Sequence, residues 1–382
     1  MRWSRQILFG DVDAMFASAA VLADPSLAGK PVAVGGSSPR GIVAAASYAA
    51  RTFGVRSAMP TGEAFRLCPN LILIPPDRSL YRRLHEQMRA VAGQLLPLTE
   101  WTSIDEFYAE TTDMQSLYPD PYGLGRRVKD AIFEATGLRC TVALATGKTV
   151  AKVAADAHKP DGLAVIEPGT EASFLAARPV RDLPGIGPKS ATMLNSLGVR
   201  CVGDLLDHRH EPFLRQRWGN RVDAWQELAR GIDHDPVVVD RESKSLGHET
   251  TFEHDTSDLA FLEQTIRGFL GILAHDLRVQ GLAAGSFTVK LKDAKFRITT
   301  RQEQFRQPLN YDPTMWPIVQ SALHSLAIPR TCYRLVGLSL SGLLPATEYL
   351  FEQRQAQAVA VLDGLIEQYG SRIVRLGGTP EE

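Results

Sequence analysis

Cysteine is scarce in this chain of 382 residues: Cys68, Cys140, Cys201 and Cys332 lie far apart, without the paired spacing of a zinc site or a disulfide framework. They read as buried, reduced thiols of a cytoplasmic protein. An excess of one charge is lacking too, with 42 Lys and Arg against 43 Asp and Glu. That balance excludes a global field for polyanions, so any nucleic-acid surface has to be a local patch. No apolar run approaches the ~18 residues of a membrane span. No charged-plus-apolar leader opens the chain, so neither secretion nor a membrane partner is expected. An ATPase P-loop is missing as well: Thr146-Gly147-Lys148-Thr149 imitates its end, but Val142 stands where the pattern requires glycine. The rest is ordinary for a globular protein, 44% hydrophobic and 22% charged. Its length implies two to four domains.

The stretch that organises the chain is Trp101 to Tyr108, WTSIDEFY, where Asp105 and Glu106 stand between a Thr-Ser pair and two aromatics. On a strand, successive side chains point to opposite faces. Both acids can therefore face one ion only if the strand ends, bends or bulges there. A third carboxylate is offered by Gly10-Asp11-Val12-Asp13, at the end of the apolar run Ile7-Leu8-Phe9. Such a cluster repels itself without a cation, and all-oxygen ligands select Mg²⁺ or Mn²⁺ over zinc. Acids at strand ends are otherwise solvated turn residues, and that reading stays open for each cluster taken alone.

In chain order, Arg5 to Asp11 reads as a buried strand and Ala14 to Leu22 as a helix. A second strand, Val32 to Val34, and a flexible loop, Gly35 to Gly41, precede the small residues Ala44 to Ser47. Tyr48 and Arg51, three apart on a helical face, are able to hold one phosphate together or to make a plain surface contact. Leu124, Val128 and Ile132 mark an amphipathic helix over 123–136, and Cys140 to Ala145 a strand. Lys148 and Lys152 on the next helix reach phosphate or solvent, with solvent the expectation for Lys148. In Leu183-Pro184-Gly185-Ile186-Gly187-Pro188-Lys189, two glycines and Lys189 either let backbone N–H groups approach a DNA phosphate at a helix N-terminus or make a plain helix-helix turn. Trp218, Val222, Trp225 and Leu228 suggest one apolar helical face, and residues 233–244 an extended tether. Beyond it the pattern is strand (246–252), helix (258–279), strands (285–292 and 296–301), helix (313–325) and strand (332–340). The middle strands carry Lys290, Lys292, Lys295, Arg297, Arg301 and Arg306 against Asp293 and Glu303. Such a face suits the tracking of a DNA backbone, with binding that weakens steeply with salt, or is simply a solvated sheet face.

Five pieces, DVDAMFAS (11–18), SYAARTFGVRSAMP (47–60), SIDEFY (103–108), AKVAADAHKPDG (151–162) and LPGIGPKSA (183–191), stand in one order and spacing. In them the chain resembles the Y-family DNA polymerases of the DinB, or polymerase IV, type, which copy damaged template. The likeness extends to about residue 345. It implies an α+β right-hand polymerase: palm (1–19 and 75–166), fingers (20–74), helix-hairpin-helix thumb (167–234), linker (235–245), β-α-β-β-α-β little finger (246–345) and tail (346–382). It also implies roles. Asp11, Asp105 and Glu106, with the Val12 carbonyl, would bind two Mg²⁺, replaceable by Mn²⁺. Phe16 would be the steric gate under the sugar, and Tyr48, Arg51 and Lys159 would hold the triphosphate of a dNTP. Gly185, Gly187, Lys189, Lys290, Lys292, Lys295, Arg297 and Arg301 would hold primer-template DNA.

The chain departs from the family at three positions. Ala45 stands where a Thr commonly touches the triphosphate, Gly10 replaces a larger apolar residue, and Met15 replaces an aromatic. Gly10 and Met15 suggest a looser floor under Phe16. In the tail, Leu350 and Phe351 match the end of a sliding-clamp peptide whose first half is absent; a helix over 349–369 docking on its own protein is the alternative. A monomer is expected. The rival functional reading is a catalytically silent relative that scaffolds DNA or a clamp, and a nucleotide cyclase would have no use for the hairpin or the basic strands.

Overall fold

The computed structural model describes residues 3–38, 40–239 and 243–346, together with positions 361, 363–365 and 368. Two compact units emerge, Met1–Arg241 and Glu242–Glu382.

The first unit is built on β1 (Ile7–Val12), buried at every residue. A left-handed corner at Ala14 (φ 47°) turns it into α1 (Met15–Ala23). A small three-stranded sheet follows, made of β2 (Val32–Gly35), β3 (Val43–Ala46) and, after α2 (Tyr48–Arg51) and α3 (Thr61–Leu67), β4 (Ile72–Ile74). Its core is mostly small, with Ala33, Ala46, Ala50, Ala64 and Cys68 around Val43 and Val55. The chain then returns through α4 (Arg78–Leu95), capped by the Asp77 carboxylate on the Leu80 N–H, to β5 (Thr99–Trp101) and β6 (Glu106–Glu110). Next come α5 (Pro121–Thr136), β7 (Cys140–Ala145), α6 (Lys148–His158) and β8 (Leu163–Val165). The resulting five-stranded sheet has the order β5-β6-β1-β7-β8.

The period of two along β1 sorts its side chains between two cores. Leu8 and Val12 face α4 and α5, where they meet Leu84, Met88, Leu124, Val128 and Ile132. Ile7 and Phe9 face α6, against Val150, Ala151 and Ala154, in a core that continues into the helices beyond. Those are α7 (Glu171–Ala176), α8 (Pro188–Ser196), α9 (Glu211–Trp218) and α10 (Arg221–Ala229). Trp218 and Trp225 do pack, with ring centroids 5.5 Å apart. They lie on two helices and not on one face, because Gly219 (φ 56°) ends α9 between them.

The second unit contains β9 (Ser245–Thr256), α11 (Leu259–Val279), β10 (Leu282–Asp293), β11 (Ile298–Leu309), α12 (Asp312–Leu326) and β12 (Tyr333–Pro345). The β-α-β-β-α-β order is as the sequence implied, with every strand longer than its apolar run. The sheet order is β11-β10-β12-β9, and both helices pack on one face over Phe287, Val289, Val336 and Leu338. Polar ends of strands are held by ladder hydrogen bonds that no side-chain pattern reveals. Of the described tail residues, Asp363 is tied to α11, where Arg278 and His275 grip its carboxylate at 2.7 and 2.8 Å. Leu350 and Phe351 lie outside the described residues. Cys68 and Cys140 are buried, whereas Cys201 is half-buried and Cys332 exposed, so only two of the four thiols meet the expectation.

Candidate active site

The stretch WTSIDEFY is two short strands around a bend and not one strand. β5 ends at Trp101, residues 102–105 turn, and β6 starts at Glu106. Ser103 builds the bend: its hydroxyl accepts the backbone N–H of Asp105 (3.3 Å) and of Glu106 (3.1 Å), and donates to the Asp105 carboxylate. From α4, His85 Nδ1 meets the Ile104 carbonyl at 2.8 Å. A carbonyl only accepts, so Nδ1 carries the proton. Asp105 thereby leaves the alternation of β6. In the antiparallel register Asp11 stands opposite Glu106, which puts both on the face toward α6. The Val12 N–H donates to the Asp105 carbonyl at 3.0 Å and draws the bend against the end of β1. The structure thus brings Asp11, Val12, Asp105 and Glu106 to one place.

Helix α6 answers these acids with lysines. Lys152 Nζ lies 2.7 Å from Glu106 Oε1, and Lys159, just past the helix, lies 2.5 Å from Asp11 and 2.9 Å from Asp156. Lys148 is not in solvent: it is buried and paired with Glu100 of β5, whose side chain is 1% exposed. Sequence reading left the partners of Lys148 and Lys152 open, because Glu100 and Glu106 stand 48 and 46 residues away on other strands. Burial pushes the Asp11 carboxyl up to about 7, against the pull of Lys159 and with a further push from Glu106 and Asp105. Lys159 is disfavoured by burial, yet Asp11 and Asp156 hold its ammonium above the usual range.

Among the described residues no three His, Cys, Asp or Glu side chains are gathered into a cation-holding cluster. The donors nevertheless fit a hard divalent cation. All are oxygens, and burial leaves Asp11 short of positive charge even with Lys159 beside it. Asp13 does not belong to that set. One of its oxygens accepts the hydroxyls of Thr141 (3.0 Å) and Tyr48 (3.3 Å), and the other the Asp161 N–H (2.7 Å). The strand-end pattern offered Asp11 and Asp13 without choosing, and only the family resemblance pointed to Asp11.

Phe16, half-buried on α1, stacks on Tyr81 of α4 with centroids 4.3 Å apart. The looser floor expected from Gly10 is not there. The Phe107 ring fills the space, and a Cβ on Gly10 would lie 2.5 Å from it. Met15 is likewise buried at 2% exposure. Arg51 lies over the Tyr48 ring at 4.6 Å, and its Nε donates to the Ala46 carbonyl. Neighbouring Ala45 is buried. The turn carrying Lys159 is packed so tightly that a Cβ on Gly162 would meet the His158 carbonyl oxygen at 2.2 Å.

Gly185 (φ 88°) and Gly187, the residue capping α8, are exposed along with Lys189, while Ile186 between them is buried. The hairpin is anchored by two apolar residues, Leu183 and Ile186, and presents bare backbone at its glycines. In the second unit Lys290 and Lys292 share the face of β10 opposite the core, and Lys295, Arg297 and Arg301 are exposed. Three of these charges are already paired: Lys290 with Glu249 (2.7 Å), Arg297 with Asp293 (2.8 Å) and Arg301 with Glu303 (2.6 Å).

The impB/mucB/samB family model matches residues 10–156, its C-terminal domain 243–375, and the helix-hairpin-helix motif of the same family 168–199. DNA polymerase IV of Halorhodospira halophila is 39% identical over 346 residues, spanning 90% of this chain and 97% of the relative. DNA polymerase IV of Gluconobacter oxydans is 38% identical over 338 residues, 88% of this chain and 95% of the relative. A solved Y-family DNA polymerase chimera of Dbh and Dpo4 is 25% identical with a TM-score of 0.80, over 89% of this chain and 100% of that one. Five motifs in register, three acids at one sheet edge and relatives matched over nearly their whole length lead to one assignment: the chain belongs to the Y-family of DNA polymerases, among those of the polymerase IV type.

Proposed function

We propose that this chain is a translesion DNA polymerase that adds dNTPs to a primer 3′-hydroxyl on damaged as well as intact template. The observation that carries the site is the pairing of Asp11 with Glu106 across β1 and β6, with Asp105 on the bend beside them. Asp11, Asp105, Glu106 and the Val12 carbonyl are the groups to hold two Mg²⁺, with Mn²⁺ as a substitute. Bound there, the ions would lower the pKa of the 3′-hydroxyl and offset charge on the phosphates. Asp11 and Glu106 set that charge against the sheet edge. Lys159 supplies a mobile point charge to the triphosphate, and Arg51 a planar grip. Tyr48 adds a hydroxyl, which stays protonated because burial and then Asp13 push it up to about 12. Phe16, backed by Tyr81, forms a floor that collides with a 2′-hydroxyl. The 3′-oxygen attacks the α-phosphorus and pyrophosphate leaves.

In this reading residues 1–19 and 75–166 are the palm, 20–74 the fingers, 167–234 the thumb, 235–245 the linker and 246–345 the little finger. Gly185, Gly187 and Lys189 in the thumb, with Lys290, Lys292, Lys295, Arg297 and Arg301 in the little finger, hold primer-template DNA by its backbone. The protein acts as a cytoplasmic monomer, and Leu350 and Phe351 in the 346–382 tail are the candidate anchor for a sliding clamp. Among the described residues no helix is long and apolar enough to cross a membrane. A silent scaffold has no need of Asp11, Asp105 and Glu106 together, nor of Tyr48, Arg51 and Lys159. The deciding experiment is primer extension with single dNTPs or rNTPs and Mg²⁺, for wild type and Asp105→Ala. Templated dNTP addition that the substitution abolishes supports the reading. DNA binding without any addition by wild type returns the scaffold.

A further inference from the structure

One buried carboxylate joins the pieces that would surround an incoming nucleotide. Asp13 follows β1 and is 5% exposed. Its three side-chain hydrogen bonds come from residues 35, 128 and 148 positions away: Tyr48, Thr141 and the backbone of Asp161. Tyr48 begins α2, and Asp161 lies two residues after Lys159 in the turn past α6. Thr141 is itself fully buried in β7 and accepts the Gly162 N–H at 3.2 Å, so that turn is fastened twice. The main chain of Asp13 is fixed as well. Its N–H donates to the Arg139 carbonyl, and its carbonyl accepts the Ser18 hydroxyl at 2.6 Å. The next residue, Ala14, makes the left-handed corner (φ 47°, ψ 47°), and Phe16 stands two residues later. A carboxylate that accepts three hydrogen bonds while buried is a rigid anchor, because releasing any of them leaves charge unsatisfied out of water.

We propose that Asp13 is a positioning residue for nucleotide selection: it sets Tyr48, the Lys159 turn and the corner before Phe16 in one frame, although it touches no substrate itself. The proposal rests on the reading of Tyr48 and Lys159 as nucleotide-binding residues. Asp13 acts on how tightly a dNTP is held and how well its sugar is checked, and less on the chemical step.

The test is steady-state primer extension by the full chain with Asp13→Asn, Asp13→Ala, Tyr48→Phe, Asp13→Asn combined with Tyr48→Phe, and Lys159→Ala. The readouts are KM for dNTP, kcat, the dNTP-to-rNTP preference, DNA affinity and thermal midpoint. Asp13→Asn keeps the shape and keeps an oxygen for the Asp161 N–H, but it turns an amide NH2 toward the Tyr48 and Thr141 hydroxyls, which lose their acceptor. It is expected to raise KM about tenfold with a smaller change in kcat, to lower sugar preference, and to leave DNA affinity unchanged. Its effect combined with Tyr48→Phe should fall short of the sum of the single effects. A lowered thermal midpoint with KM and sugar preference at wild-type values would reduce Asp13 to a structural residue and overturn the proposal. So would strict additivity with Tyr48→Phe. Should Asp13→Ala fail to fold, the asparagine variant and the cycle still decide. Lys159→Ala separates the levels: a raised KM there with none in Asp13→Asn defeats the proposal alone, whereas an unchanged KM in Lys159→Ala defeats the nucleotide-site reading and the proposal with it.

Discussion

Charge is used in opposite ways in the two units. In the first, lysines on and just past one helix face acids on three different strands, and the partners are 46, 48 and 148 residues apart. Those groups are buried or half-buried, so each pair fixes a geometry, and loss of one partner strands the other out of water. In the second, the basic residues lie on β10, β11 and the turn between them, on or beside the sheet face turned away from the core. Arg297 and Arg301 pair four and two residues away, and Lys290 pairs across to β9. Exposed pairs of that kind contribute little individually and are screened by salt. Placement therefore matters in the first unit, residue by residue, while the sum of charges matters in the second.

The largest effect should follow from removing a placed acid. Asp105→Asn keeps size and polarity, so the bend at Ser103 should persist, yet single-turnover dNTP addition should fall by about 10³-fold or more. DNA affinity should stay within about twofold. A parallel loss of DNA binding would erase the distinction between the units. Next in size is sugar selection. Phe16→Ala removes the ring that rests on Tyr81, and rNTP use relative to dNTP should rise about tenfold or more in competition assays. An unchanged ratio would move the gate to another side chain.

Gly10 sharpens the contrast by a different route, since it lies on the core face of the strand that bears Asp11. An added Cβ would sit 2.5 Å from the Phe107 ring. Gly10→Ala should cost about 1–3 kcal/mol of stability through overpacking, read as a lower denaturation midpoint. Activity per folded molecule should fall too, because β1 carries Asp11 one residue on. A neutral substitution would mean that the ring moves aside freely and that the strand edge is less rigid than its burial implies.

The fold was largely readable where one rule acts locally. Ile7-Leu8-Phe9 is a continuous apolar run and Cys140 to Ala145 one broken only by Thr141, and both lie in interior strands buried at every residue. Leu124, Val128 and Ile132 recur at the helical period and are all buried in α5. Reading failed where a residue's environment is set by a distant one. Nothing near Lys148 in the chain announces Glu100, and nothing near Asp13 separates it from Asp11 until Thr141 and the Asp161 N–H are in place. His85 gave no signal either, since its partner is a backbone carbonyl. The motifs identified which residue types gather at the site. Which of them come together at the strand ends and which are buried and hydrogen-bonded is decided by register and by the bend at 102–105.

The smallest effect tests the second unit's additive use of charge. Lys292 and Lys290 stand on the same face of β10, two residues apart, but only Lys290 is paired, with Glu249. Among the described residues Lys292 forms no ion pair, so its full charge is available to a phosphate. Lys292→Ala should weaken DNA binding a few-fold at low salt and reduce the slope of log K against log salt by about 0.9, as expected for one lost phosphate contact. Lys290→Ala removes a charge that is partly offset already and leaves Glu249 facing the same surface. If Glu249 stays on its lysine when DNA binds, Lys290→Ala should change the slope less than Lys292→Ala does. If the lysine swings to the phosphate, the two slopes should match and affinity should fall further in Lys290→Ala, because the freed carboxylate repels the backbone. Glu249→Gln then separates the cases: tighter binding with a slope steeper by about 0.9 shows that the acid holds Lys290 back, and unchanged binding and slope show that the pair is no more than a surface contact.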